Sequence, residues 1–168
     1  MFVAKEYRGF FSGILPEETN RELIARNLGI TAKNDYSMLK EIGGECAGAV
    51  TFLPEKVEAK FLDYSYQHLN DIELISVINQ LPQRPLLAGE ENVRISLAGA
   101  QVKWSVLVEG DKIAIPLQAA PSTHILKPAS KYFEGLVYNE AFCMMLSGLC
   151  GLPTAKVEVR KAATGNFY

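Results

Sequence analysis
The sequence is poor in the residues that make chemistry on their own. It has three cysteines, Cys46, Cys143 and Cys150, an odd set with no metal-ligand spacing, which fits a reducing cytoplasm. Its two histidines, His68 and His124, have no carboxylate or nucleophile spaced to serve them, so no Ser-His-Asp or Cys-His arrangement is on offer. There is no excess of positive charge. Lys and Arg number 17 against 19 Asp and Glu, a net charge of −2, which disfavours direct contact with nucleic acid. No apolar run is long enough to span a membrane. Met1–Phe11 carries Lys5, Glu6 and Arg8 where a signal peptide would need an apolar core. Aspartate is scarce too: Asp35, Asp63, Asp71 and Asp111 are the whole set, and none follows Asp111.

What is present is a globular composition, 48% apolar and 21% charged, with enough chain for one good core or two small subdomains. Pro16-Glu17-Glu18 opens a helix with a proline and two carboxylates at its positive end. Leu23, Ile24 and Leu28 form its stripe, and Gly29 ends it. Asn34 or Asp35 caps a second helix with Tyr36, Leu39 and Ile42 inward and Gly43 as the stop. Cys46–Leu53 reads as a buried strand closed by Pro54. Gly43, Gly44 and Gly48 read as a helix end followed by close packing, in preference to a phosphate loop. Glu55–Tyr66 is a connector, and Asn70-Asp71-Ile72-Glu73 is a capping box. Ile72, Ile75, Val77 and Ile78 then recur at helical spacing to Leu81. The Pro82–Glu91 stretch is the clearest linker, so the chain divides into residues 1–85 and 86–168.

The second half changes period. Val102, Trp104, Val106 and Val108 alternate with polar neighbours, Gly110-Asp111 suits a hairpin turn, and Lys112–Pro116 returns. Pro121–Pro128 is a short strand with Thr123, Ile125 and Lys127 on one face and His124 on the other, where a packed or hydrogen-bonded histidine is expected. Leu136–Cys150 is a helix, with its methionines and Cys143 and Cys150 as core filler. Lys156–Arg160 and Asn166–Tyr168 read as two more strands. The expected fold is α+β: a small helical N-terminal subdomain, then an antiparallel sheet with one packed helix.

Two segments of this half suggest a ligand. Arg94–Lys103 is strand, small-residue loop, strand, the build of a loop whose backbone amides approach phosphates. With one glycine, Gly99, a plain β-turn or bulge stays an open alternative. Lys127 ends a strand downstream of that loop, the order used to reach α- and β-phosphates, although a solvated lysine is the usual fate. Glu140, on the following helix, is a candidate partner for Lys127; an exposed helix carboxylate is the alternative.

Three stretches, Ser96-Leu97-Ala98-Gly99-Ala100-Gln101 with Lys103, Ala120–Pro128, and Asn139-Glu140-Ala141-Phe142-Cys143, together resemble the HipA family of serine/threonine kinases that act as toxins of bacterial toxin–antitoxin pairs. Phe10–Glu17 and Glu41–Val50 resemble that family's N-terminal subdomain. The resemblance implies a kinase-like N-lobe. It places Leu97, Ala98, Gly99, Ala100, Gln101, Lys103 and Lys127 at a nucleotide, with Glu140 as the lysine's partner and Ser96 as a regulatory phosphorylation position. It implies ATP with magnesium, a HipB-like antitoxin partner and a protein substrate of the translation machinery. The family's helical lobe is expected to be absent from this chain. After Lys127 the only acidic residues are Glu134, Glu140 and Glu158, with nothing like the aspartates that orient the nucleophile and hold magnesium. The chain is therefore expected to be the incomplete N-terminal part of such a kinase, or alternatively a non-catalytic, antitoxin-like interaction module.

Overall fold
Caps and apolar stripes place the N-terminal helices in the computed structural model, which describes residues 4–46, 50–53, 55–56, 64–93, 95–118, 120–162 and 165–167. Helix α1 (Ala4–Gly13) precedes the expected first helix and carries Phe11, whose ring meets Phe52 edge-on at 5.7 Å. Helix α2 (Glu18–Asn27) buries Asn20, Ile24 and Ala25. Gly29 then turns the chain at φ 67°, a backbone angle that favours glycine. Helix α3 (Asp35–Ile42) is capped by Asn34, whose side chain accepts from the Ser37 amide at 3.1 Å. It buries Met38, Leu39 and Ile42. Tyr36, expected inward, is 77% exposed. Met38 takes the inward place, and two positions along a helix of 3.6 residues per turn point to the far side.

The buried strand expected at Cys46–Leu53 is reduced to β1 (Glu45–Cys46). Val50 bridges back to Cys46, and Thr51–Leu53 is not strand. Gly48 and Pro54 lie outside the described residues. Strand β2 (Ser65–Leu69) begins in the last two residues of the expected Glu55–Tyr66 connector and runs on to the start of the next helix. Helix α4 (Asp71–Gln80) follows, with the capping box formed in both directions between Asn70 and Glu73. Ile72 points to solvent, and Leu74, Val77 and Ile78 pack inward with Leu81.

After β3 (Ile95–Ser96), the hairpin β4 (Trp104–Glu109) and β5 (Lys112–Leu117) turns at Gly110, and β6 (His124–Leu126) follows. Strand order in the antiparallel sheet is β2-β5-β4-β6. Register is set by Gln67 opposite Ile115, Leu107 opposite Ala114 and Ser105 opposite Ile125. Helix α5 (Leu136–Leu149) and a small hairpin of β7 (Arg160–Ala162) with β8 (Gly165–Phe167) complete the order.

Two cores result. One joins α2 and α3 with Leu15, Leu86 and Ala88. The other fills the sheet around Trp104, Val106, Ile113 and Ile115 with Leu81 and Leu87. Strand β2 and helix α4 lie before the expected boundary at residue 85 yet belong to the sheet core. Strands pair by backbone register, and a linker does not override five paired residues.

Helix α5 departs from the reading of its sequence. Val137 and Ala141 are buried, whereas Cys143, Cys150 and Met145 are exposed and Met144 is half-buried. His124 is exposed as well, with its Nδ1 2.8 Å from Thr123 Oγ1. It is hydrogen-bonded but not in the core.

Candidate functional site
The loop that follows β3 is built from residues with almost no side chain to fix it. Gly99 sits at φ 100°, and a Cβ there would lie 2.9 Å from Lys103 Nζ. The backbone angle is what favours glycine here; the lysine, whose ammonium folds back over the loop, could swing aside. The fixation comes from elsewhere. Strand β3 pairs in parallel with β1, Cys46 opposite Ser96. Pro16 forms a parallel bridge with Gly99. Asn20 Nδ2 donates to the Ala100 carbonyl at 2.7 Å. Leu97 packs against both cores, and Ala98 is half-buried.

On the far side of the loop, Gln101 Nε2 reaches Glu140 Oε2 at 3.5 Å. Glu140 Oε1 is ion-paired with Lys127 Nζ, both side chains being about a quarter exposed or less, 25% and 21%. Helix α5 and the end of β6 thus bring together three of the residues singled out in the sequence, Gln101, Lys127 and Glu140. Lys103 joins them electrostatically. Burial and the Lys127 charge push its ammonium below the usual lysine value of 10.5, and Glu17 and Glu140 pull it back up. Leu97, Ala98, Gly99 and Ala100 form the loop itself, and Ser96 ends the strand entering it.

Beside the ion pair lies a cleft of about 740 Å³ whose lining includes Val106, Leu126, Lys127, Glu140, Met144 and Val157. None of Leu97–Lys103 lines it. The lysine pair therefore faces two spaces, the loop and the cleft. Among the described residues, no three His, Cys, Asp or Glu side chains come together as a group that could hold a metal ion. No helix among the described residues is long and apolar enough to cross a membrane.

Sequence reasoning missed two contributors from the N-terminal half. Asn20 carried a signal: it stands four positions before Ile24, a polar residue on the buried stripe of α2. Glu45 carried none. Its Oε1 accepts from the Ser122 hydroxyl at 2.7 Å and from the Ser122 amide at 3.3 Å, tying β1 to the approach of the lysine strand.

A small antiparallel sheet with a lysine strand, a glutamate helix and a small-residue loop defines a kinase-like N-lobe, in this chain with helices attached in front. Comparison with known proteins places it more closely. The family model described as the HipA N-terminal domain matches residues 2–53, and that described as the HipA-like C-terminal domain matches 95–168. The chain belongs to the HipA family. It is 42% identical over 165 residues to a protein of Sinorhizobium fredii named "Putative kinase Y4mE", covering 96% of this chain and 39% of that protein. It is 29% identical over 150 residues to the serine/threonine-protein kinase toxin HipA of Shewanella oneidensis, covering 89% and 34%. A solved Shewanella oneidensis complex of HipA, HipB and operator DNA contains a chain that matches with a TM-score of 0.73 and 25% identity, over 94% of this chain and 36% of that one. The chain thus spans well under half the length of these relatives.

Proposed function
We propose that this chain is the nucleotide-loop-bearing N-terminal part of a HipA-like serine/threonine protein kinase, the toxin of a cytoplasmic toxin–antitoxin pair, and that it is not catalytically competent alone. The observation that carries the reading is the Lys127–Glu140 ion pair with Gln101 of the loop beside it. A lysine held by a helix glutamate next to a loop of small residues is the arrangement that grips the phosphates of ATP in kinases. ATP is the nucleotide proposed, bound weakly by this chain, with Leu97–Gln101, Lys103 and Lys127 at its phosphates. Magnesium requires acidic groups from the rest of such a kinase. The partners are a HipB-like antitoxin and that remaining portion, and the substrate is a protein of the translation machinery. Ser96 stands at the loop entrance, where a phosphate of about −1.5 to −2 charge repels the nucleotide.

Calorimetric titration of ATP into the chain tests this. Weak binding that is lost in Lys127→Ala and reduced in Ser96→Asp is expected. Binding indifferent to Lys127→Ala contradicts the assignment.

One observation favours the second reading, a non-catalytic interaction module. Tyr138, Phe142, Met145 and Leu149 repeat at helical spacing along α5 and are all exposed. Apolar stripes of this kind mark interaction surfaces.

A further inference from the structure
The contacts that shape the loop come from a part of the chain eighty residues away. Asn20 is only 8% exposed, and a buried amide must find partners or destabilise the fold. It finds one in the Ala100 carbonyl, at 2.7 Å. Ala100 is itself exposed and lies in no strand, so this bond is made to a loop and not to a sheet. One residue back, Gly99 is bridged to buried Pro16, at the start of the same helical segment. Glu17, between them in sequence, sends its negative charge to Lys103 at the other end of the loop. A segment of five residues, Pro16 to Asn20, therefore touches the loop by backbone, by side chain and by charge. Leu97 and Gln101 anchor the two ends of the loop, and between them Ala98, Gly99 and Ala100 have no long side chain of their own, so the middle of the loop is held from this segment.

We propose that Asn20 is a positioning residue that sets the conformation of the Leu97–Lys103 loop, so that the N-terminal helices control the loop's readiness for a ligand. The conformational role stands on the geometry alone; the ligand being a nucleotide rests on the proposed function. Any event that shifts α2 shifts the Ala100 carbonyl with it. The amides of the loop then lose the arrangement that a phosphate needs.

Hydrogen exchange read by mass spectrometry on the whole chain tests the pin without any ligand. Asn20→Asp keeps the size of the side chain and removes the donor; Asn20→Ala removes the side chain. The expected result is exchange about tenfold faster in the peptide covering Leu97–Lys103, with β4 and β5 unchanged, as for local opening. Unchanged loop exchange in Asn20→Asp overturns the proposal. So does an equal loss of protection through β4 and β5 in both variants, because Asn20 is then a packing residue of the whole fold. ATP titration of the same variants gives the second reading. Loosening of the loop together with weakened ATP binding supports both proposals. Loosening in a chain that binds no ATP in any form supports the pin and removes the nucleotide.

Discussion
Among the described residues, Lys103 carries a charge that its surroundings disfavour. Burial and the neighbouring Lys127 ammonium both favour its neutral form, and Glu17 and Glu140 offset them only in part. Its folded value lies below 10.5, so the unfolded chain binds more protons than the folded chain in the window beneath that value. The contribution of Lys103 to stability therefore rises as pH climbs towards 10.5, and is unfavourable below the folded value, where the half-buried amine must carry its charge. Lys103→Met removes the penalty while keeping the stem. At neutral pH the variant is expected to melt at a higher temperature than the parent chain. Part of the upward slope of Tm with pH should vanish with it. A thermal melt series from neutral pH into the lysine titration range checks both, and a lower Tm for Lys103→Met contradicts the assignment. Chain order and resemblance made Lys127 and Glu140 legible in the sequence, since a strand lysine followed by a helix glutamate is a pattern. Glu45 was not, and Asn20 showed only its place on a buried stripe and not its role, because their partners, Ser122 and Ala100, lie 77 and 80 positions away. A side chain's reach across the fold leaves little trace in local periodicity.

Among the elements, those with chemical punctuation were readable and those defined by a neighbour were not. The box Asn70-Asp71-Ile72-Glu73 announced α4, and both of its hydrogen bonds are made, at 2.9 and 3.0 Å. Removing it with Asn70→Ala is expected to destabilise the chain by about 1 kcal/mol, the usual value of an N-cap. Urea unfolding that leaves the midpoint in place would show that α4 is held by Leu74, Val77 and Ile78 alone. Strand β2 has no such mark. Its sequence, Ser65-Tyr66-Gln67-His68-Leu69, lacks apolar alternation because it is an edge strand with Ser65, Gln67 and His68 exposed. Pairing with β5 alone makes it a strand. Helix α5 fails in the opposite direction. It is apolar on several sides, so periodicity suggested a broad buried face where only Val137 and Ala141 are buried.

At the scale of the whole molecule, the two cores and the position of the lysine pair decide what the chain can do. The helical core holds β3 and the loop through β1, Pro16 and Asn20, and the sheet core holds β4 and β6, so the groups proposed to meet phosphates are supported from both sides. What phosphoryl transfer needs beyond that is acidic. One carboxylate must orient the hydroxyl nucleophile, and others must hold magnesium against the phosphates. Asp71 begins α4 and Asp111 sits in the β4–β5 turn, both exposed. Asp35 is ion-paired with Arg21 at the start of α3. Asp63 lies outside the described residues. Of the glutamates after Lys127, Glu140 is engaged with Lys127 and Glu158 with Arg160, and Glu134 lies in the exposed turn before α5. Positioning and electrostatic stabilisation make up most of the catalysis of this reaction, so on the function proposed above the lysine pair and the loop bind the nucleotide, and transfer of its phosphate waits on carboxylates from the rest of such a kinase. The expected outcome is that this 168-residue chain, freed of host kinases and offered radiolabelled ATP with a general protein substrate, gives no turnover above background. Adding the remaining portion of a HipA-like kinase as a separate polypeptide should restore turnover only where the two assemble, with the exposed stripe of Tyr138, Phe142, Met145 and Leu149 as the surface to be covered. Reproducible transfer by the chain alone that disappears in Lys127→Ala would mean that the chain's own carboxylates complete an active site around the lysine pair, and would overturn the reading of those carboxylates as structural.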